Sequence, residues 1–357
     1  MRSFHPMKLL AVLLLFGTVA LAQNPEEHDF VTRNFKFGSG ETLAELKIHY
    51  TTYGRPQTDS RGRTTNAVLI LHGTTGSGQQ FVSARFAGVL FGPGQLLDAT
   101  KYFIILPDNI GHGGSSKPSD GLRASFPHYD YHDMVAAQHL LLTEGLHVNH
   151  LRLVMGTSMG CMHSWIWLEA YPGFMDAAMP LACLPVQIAG RNRWWRKMVI
   201  DAIRLSPDYK GGEYTQQPFG LRTALDFLII AGSVPLQNQK DYPTRETADA
   251  YVDNFMKTRL ANTDANDVLY AIESSRNYDP SPNLEKITAP VMFVNSADDF
   301  VNPPELGIAQ NEIKRVKRGK FVLLPMTDQT RGHGTHTLPT IWKEYLRELL
   351  DQSSSRP

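Results

Sequence analysis

Val154-Met155-Gly156-Thr157-Ser158-Met159-Gly160 carries the pattern G-x-S-x-G, and its flanks decide the fold. Leu151-Arg152-Leu153-Val154-Met155 before it is a short apolar run of strand type. Cys161 to Ala170 after it has helical length and stops before Pro172-Gly173. Between strand and helix the backbone must reverse sharply at Ser158. Glycines at 156 and 160 remove the side chains that would clash with that reversal. The turn lifts a hydroxyl off the end of a strand and sets it at a helix N-terminus, where backbone N–H groups favour developing negative charge.

Strand, G-x-S-x-G and helix in this order resemble the nucleophile elbow of the α/β-hydrolases. The resemblance implies an α/β fold, a mostly parallel sheet flanked by helices. The rest of the chain agrees. Phe30 to Tyr53 alternates around Gly38-Ser39-Gly40, as in an antiparallel hairpin. Buried-type strands follow at Ala67–Leu71, Phe103–Pro107, Ala177–Ala182, Ala289–Asn295 and Phe321–Leu324, with a helix at Tyr131–Leu142. From residue 186 to 283 the strand rhythm stops, and helical lengths at Arg191–Leu205, Leu221–Ala231 and Thr247–Leu260 replace it. We read residues 23–185 and 284–357 as the hydrolase core and 186–283 as a helical cap over the site. Trp194 and Trp195 either line its pocket or pack its interior. The sheet resumes before a proline-initiated helix at Pro303–Lys314, and a final amphipathic helix runs to Leu350.

A serine hydroxyl is a weak nucleophile unless a base takes its proton and an acid orients that base. In this fold the three follow in the order Ser, Asp, His, each after a strand. Ser158, Asp299 and His333 fit. Asp298 is adjacent to Asp299, and His336 shares the final loop with His333, so both stand as alternatives. Asp299 is favoured by its four-residue spacing from Pro303, and His333 by its flanking glycines. The oxyanion would be held by the backbone N–H groups of Met159 and Thr74, with Thr75 the substitute for Thr74 in the loop His72-Gly73-Thr74-Thr75-Gly76. His112, in Asp108-Asn109-Ile110-Gly111-His112-Gly113, reads as a loop-stabilising residue. This chemistry needs no cofactor, and the 13 histidines are scattered along the chain, with no metal site expected among them.

Leu71-His72-Gly73-Thr74-Thr75-Gly76, Asp133-Met134-Val135-Ala136-Ala137-Gln138, Met155 to Gly160 and Ser206 to Tyr214 together resemble the homoserine O-acetyltransferase group and its hydrolase-type relatives. The resemblance implies the same triad. Departures accompany it. Those transferases carry a G-G-x-x-G-S-T-G-P loop where this chain has Gly111 to Pro118, and Gly160 is followed by Cys161. The arginine that grips an amino-acid carboxylate aligns with Ile200, one helical turn from Arg196 and Arg204. The expected activity is therefore hydrolysis of an ester or related acyl bond through an acyl-enzyme. The alternatives are acyl transfer of the homoserine type and an inactive binding protein.

The chain has 357 residues and formal net charge zero, which offers nothing to nucleic acid or an anionic membrane. Arg2 and Lys8 precede an apolar run at Leu9–Phe16 and a small-x-small site at Ala20-Leu21-Ala22. This reads as a signal peptide cleaved after Ala22, leaving a periplasmic or secreted protein free of the membrane and acting on a small acyl substrate; a homodimer is left open. Cys161 and Cys183 either pair or stay as buried free thiols, and the size of the core favours free thiols.

Overall fold

The computed structural model describes residues 24–354; the leader assigned to residues 1–22 lies outside them. Eight strands form one sheet: β1 Glu26–Lys36, β2 Thr42–Tyr53, β3 Ala67–Leu71, β4 Phe103–Pro107, β5 Leu153–Thr157, β6 Ala178–Leu181, β7 Val291–Ser296 and β8 Gly319–Leu324. Their order is β1-β2-β4-β3-β5-β6-β7-β8. The β1–β2 hairpin is antiparallel and β2 pairs antiparallel with β4, while every pairing from β4 to β8 is parallel.

Alternation along the central strands builds a core on each face. Ala67, Leu69 and Leu71 of β3 join Phe103, Ile105 and Phe293 on one side; Val68 and Ile70 join Ile104, Leu106 and Trp342 on the other. Strands buried on both faces need continuous apolar runs, which explains AVLIL and FIILP. The edge strand β1 is mostly exposed, and its acidic and basic side chains blunt it against pairing with another chain.

The helices are α1 Ala87–Leu90, α2 Tyr131–Leu140, α3 Met159–Ala170, α4 Gly190–Arg204, α5 Phe219–Ala231, α6 Pro235–Asp241, α7 Arg245–Ala261, α8 Ala265–Glu273, α9 Ile308–Glu312 and α10 Pro339–Ser353. Between β6 and β7 run α4 to α8, with their own apolar cluster around Val199, Ile203, Leu221, Leu225 and Leu269. Trp194 is 65% exposed, while Trp195 packs against this cluster, so neither forms a wall of the active-site cavity.

Three expectations need correction. The helix expected over 303–314 is broken into short turns about α9, because Gly307 takes φ 66°. Cys161 and Cys183 form a disulfide. Cys161 opens α3 and Cys183 follows β6, the strand beside β5, which brings their Cα atoms to 5.8 Å, within bridging range. The final helix also runs further than expected, to Ser353, because buried Arg152 donates to Ser353 Oγ, Ser354 Oγ and the Leu350 carbonyl.

The chain crosses from β4 to β5 around β3, so the sheet reverses its winding between β3 and β5. The loops after those two strands face each other at that switch point, where open α/β sheets place ligands. Gly160 holds them close: a Cβ there would lie 2.0 Å from the Leu71 carbonyl oxygen. Gly160→Ala should therefore destabilise the protein by about 3 kcal/mol or more. The control Gly173→Ala, which meets nothing within 4 Å, should melt with the parent. Thermal unfolding by circular dichroism reads both, and equal midpoints would refute the close approach.

Candidate active site

Ser158 sits between β5 and α3 with φ 55° and ψ −109°, a conformation L residues avoid. Its neighbours make it tolerable. A Cβ on Gly156 would meet the Gly160 carbonyl oxygen at 1.9 Å, so only glycine lets strand and helix approach this closely. The Ser158 N–H donates to the Leu181 carbonyl at 2.9 Å, pinning the turn to β6.

Ser158 Oγ lies 2.8 Å from His333 Nε2. On its other side His333 Nδ1 lies 3.1 and 3.0 Å from the two Asp299 oxygens. With Nδ1–H donating to Asp299, Nε2 is left as the acceptor for the Ser158 hydroxyl. Asp299 is 1% exposed. Burial pushes its carboxyl up, but His333 and the donors of Asn302 outweigh that and hold it below its usual value. Those donors are Asn302 N–H at 3.1 Å and Nδ2 at 3.2 Å, joined by Val301 N–H at 2.8 Å. Asn302 Nδ2 also donates to the Ala182 carbonyl at 3.0 Å, fixing the acid loop to β6.

The alternatives stand apart from the hydroxyl. Asp298 accepts from Thr330 Oγ1 at 2.8 Å and Gly332 N–H at 3.0 Å, so it braces the loop that carries His333. His336 lies half-buried and edge-on to His333, its ring centre 5.2 Å away, and desolvation of the ring pulls it down to about 3.

Thr74 follows β3, and Met159 is the first residue of α3. Among the described residues neither N–H has an acceptor within the protein, so both are free for an oxyanion. The loop between them runs against the nucleophile: a Cβ on Gly73 would be 3.4 Å from Ser158 Cβ. Thr75 itself has φ 59°. Gln80, which the sequence did not single out, braces the elbow by donating from Nε2 to Thr157 Oγ1 at 3.0 Å. Asp108 accepts from Gly78 N–H at 2.6 Å and Gly114 N–H at 2.7 Å, tying the glycine loop to the loop after β4. His112 donates from Nδ1 to the Ile110 carbonyl at 2.9 Å, the structural place expected for it.

A cavity of about 550 Å³ opens on Ser158 and His333. Its walls are mainly apolar, among them Met162, Leu184, Val186, Ile188 and Val301. Three charged side chains line it: Arg191 and Glu305, both exposed, and the buried Arg196. Arg196, 3% exposed, lines the cavity and donates to Asn192 Oδ1 and Ser275 Oγ, each at 3.0 Å. Among the described residues no carboxylate lies within 4.0 Å of it. Burial pulls the guanidinium down from its usual value, yet Arg keeps its proton in proteins. The buried hydroxyl of Tyr131 lies beside Arg196, Ser275 and Thr74. Ile200 packs into the α4–α8 cluster instead. The buried cation of the cavity is thus Arg196, one turn along α4 from Ile200.

A profile of the alpha/beta hydrolase fold matches residues 66–322. Over 278 residues the chain is 29% identical to a probable acyltransferase of Methanothermobacter thermautotrophicus, covering 78% of this chain and 84% of that one. It is 28% identical to the homoserine O-acetyltransferase of Pelobacter propionicus, covering 88% and 92%. Among solved structures, esterase E22 superposes with a TM-score of 0.80 at 20% identity, over 92% of this chain and all of that one, a likeness of fold.

The site also predicts acid lability. Burial holds His72 at about 4 and His112 and His336 at about 3, against 6.5 when exposed. Below 6.5 the unfolded chain binds protons that these folded imidazoles refuse. Stability therefore falls as pH drops from 6.5 toward 4, by about 1.4 kcal/mol per unit for each histidine. Urea unfolding at pH 7 and pH 5 should show this steep loss, and His336→Gln should remove about one proton from the slope. A flat profile would contradict it.

Proposed function

We propose that this chain, which belongs to the α/β-hydrolase fold family, is a serine enzyme that passes an acyl group through an ester on Ser158. The observation that carries this is His333 set between Ser158 Oγ and buried Asp299. His333 Nε2 accepts the hydroxyl proton as Oγ attacks an ester or thioester carbonyl. The N–H groups of Thr74 and Met159 take the oxyanion, each contributing roughly 3 kcal/mol to the transition state. Asp299 steadies the charged imidazole. The tetrahedral intermediate collapses, His333 returns the proton to the departing alcohol or thiol, and the acyl-enzyme remains. A second hydroxyl then enters by the same steps in reverse order and frees the serine.

Which hydroxyl enters separates two readings. Names of the curated relatives support an alcohol acceptor, as in acyltransferases and homoserine O-acetyltransferases. Arg196 supports it further: a buried guanidinium without a carboxylate of its own suits an acceptor that brings one. On sequence alone Ile200 argued for water, and that argument weakens with Arg196 in the cavity. Water is the second reading, a hydrolase as in esterase E22. It is favoured by the leader at residues 1–22, which would export the protein away from acyl-CoA, and by the Cys161–Cys183 disulfide, a bond that persists in oxidising compartments. The α4–α8 insertion acts in either case as the cap, with α4 and the segment leading into it lining the cavity.

A fluorophosphonate should label the parent at Ser158 and leave Ser158→Ala unlabelled; labelling of the variant would defeat the reading. Incubation with acetyl-CoA, with and without homoserine, then identifies the acceptor. O-acetylhomoserine formed only with both supports transfer. Free acetate from p-nitrophenyl acetate at a rate indifferent to homoserine supports hydrolysis. In the transfer case Arg196→Met should raise the KM for homoserine about 10- to 100-fold, the cost of roughly 1.5–3 kcal/mol for a lost charged hydrogen bond.

A further inference from the structure

Arg259 lies near the end of α7, a helix on which only Met256 is buried. Its Nη2 donates to Thr75 Oγ1 at 3.1 Å, across 184 residues of sequence. Among the described residues this is the one side-chain hydrogen bond that α7 makes beyond its own length and caps. Elsewhere the two sides stand apart: a polar cavity of about 420 Å³ separates Thr75, Gly76, Ser77 and Gln80 from Asn262 and Val268.

Both partners are unusual. Thr75 holds φ 59°, which a β-branched residue adopts only when its surroundings impose it, and such outliers gather at functional sites. Arg259 has no carboxylate within 4.0 Å among the described residues, although Asp264 and Asp267 line the same cavity, and its Nε is buried without an acceptor. A guanidinium that forgoes nearby acids to reach a threonine hydroxyl is held there by geometry. Thr75 directly follows Thr74, whose N–H has no acceptor among the described residues, and Gly73 before them runs against Ser158.

We propose that Arg259 is a positioning residue: through Thr75 it locks the oxyanion loop from the helical side, so that Thr74 N–H is aimed before substrate arrives. This rests on the acyl-serine reading above. Gln80 and Asp108 fix the loop from within the core; Arg259 makes its aim depend also on where α7 sits.

A double-mutant cycle tests it on the full chain, with p-nitrophenyl acetate turnover and the rate of fluorophosphonate labelling at Ser158 as readouts. Arg259→Met and Thr75→Val should each lower kcat and the labelling rate about tenfold, with KM changed less than twofold. The double variant should be no slower than either single one, because both remove the same hydrogen bond. Thr75→Ser should retain the parent rates, which guards against Thr75→Val failing to fold. Parent rates in Arg259→Met, losses that multiply in the double variant, or a change confined to KM would each overturn the proposal. If the parent itself neither labels nor turns over, the acyl-serine reading fails and takes this with it; parent labelling with an unaffected Arg259→Met sinks the proposal alone.

Discussion

The backbone of Ser158 is the constraint on which the rest depends. Torsions of 55° and −109° at a residue with a side chain cost about 1–3 kcal/mol and last only if the surroundings leave no alternative. Here β5, α3 and β3 converge on the turn. Glycines 156 and 160 let carbonyls come where any Cβ would collide, and Leu181 accepts the Ser158 N–H. Once the turn is forced, the hydroxyl must point off the strand end, and the N-terminus of α3 must lie behind it. The other groups are brought to that point; the serine is not brought to them.

Much of this was legible in the sequence because the chemistry imposes spacing on the strands. A hydroxyl at the end of β5, a carboxylate after β7 and an imidazole after β8 can meet only at one sheet edge. The choice between Asp298 and Asp299 rested on distance to Pro303 alone. Its physical basis is that adjacent side chains diverge: one is taken up by Thr330 and Gly332, the other by His333.

What could not be read were partners without local signature. Gln80 and Arg259 act across long gaps in sequence, as does Asn302 where it ties Asp299 to Ala182, and nothing near them marks the distant group they hold. That Arg196 would enter the cavity was not legible for a related reason. Four residues make about one helical turn, so Arg196 and Ile200 share a side of α4 in sequence while one enters the cavity and the other the helical core. The pairing of Cys161 with Cys183 depends on β5 and β6 being neighbours, a fact of sheet order that 22 residues of separation do not disclose.

Arg152 sits one residue before β5, and its guanidinium is buried against the last turn of α10, 201 residues later. The base of the strand that carries the nucleophile is thus closed by a helix remote from it in sequence. The elbow can form from neighbouring residues, yet the cation below it stays unmatched until α10 docks. Fraying at the last turn of α10 is therefore felt at the foot of the nucleophile strand, through a single guanidinium.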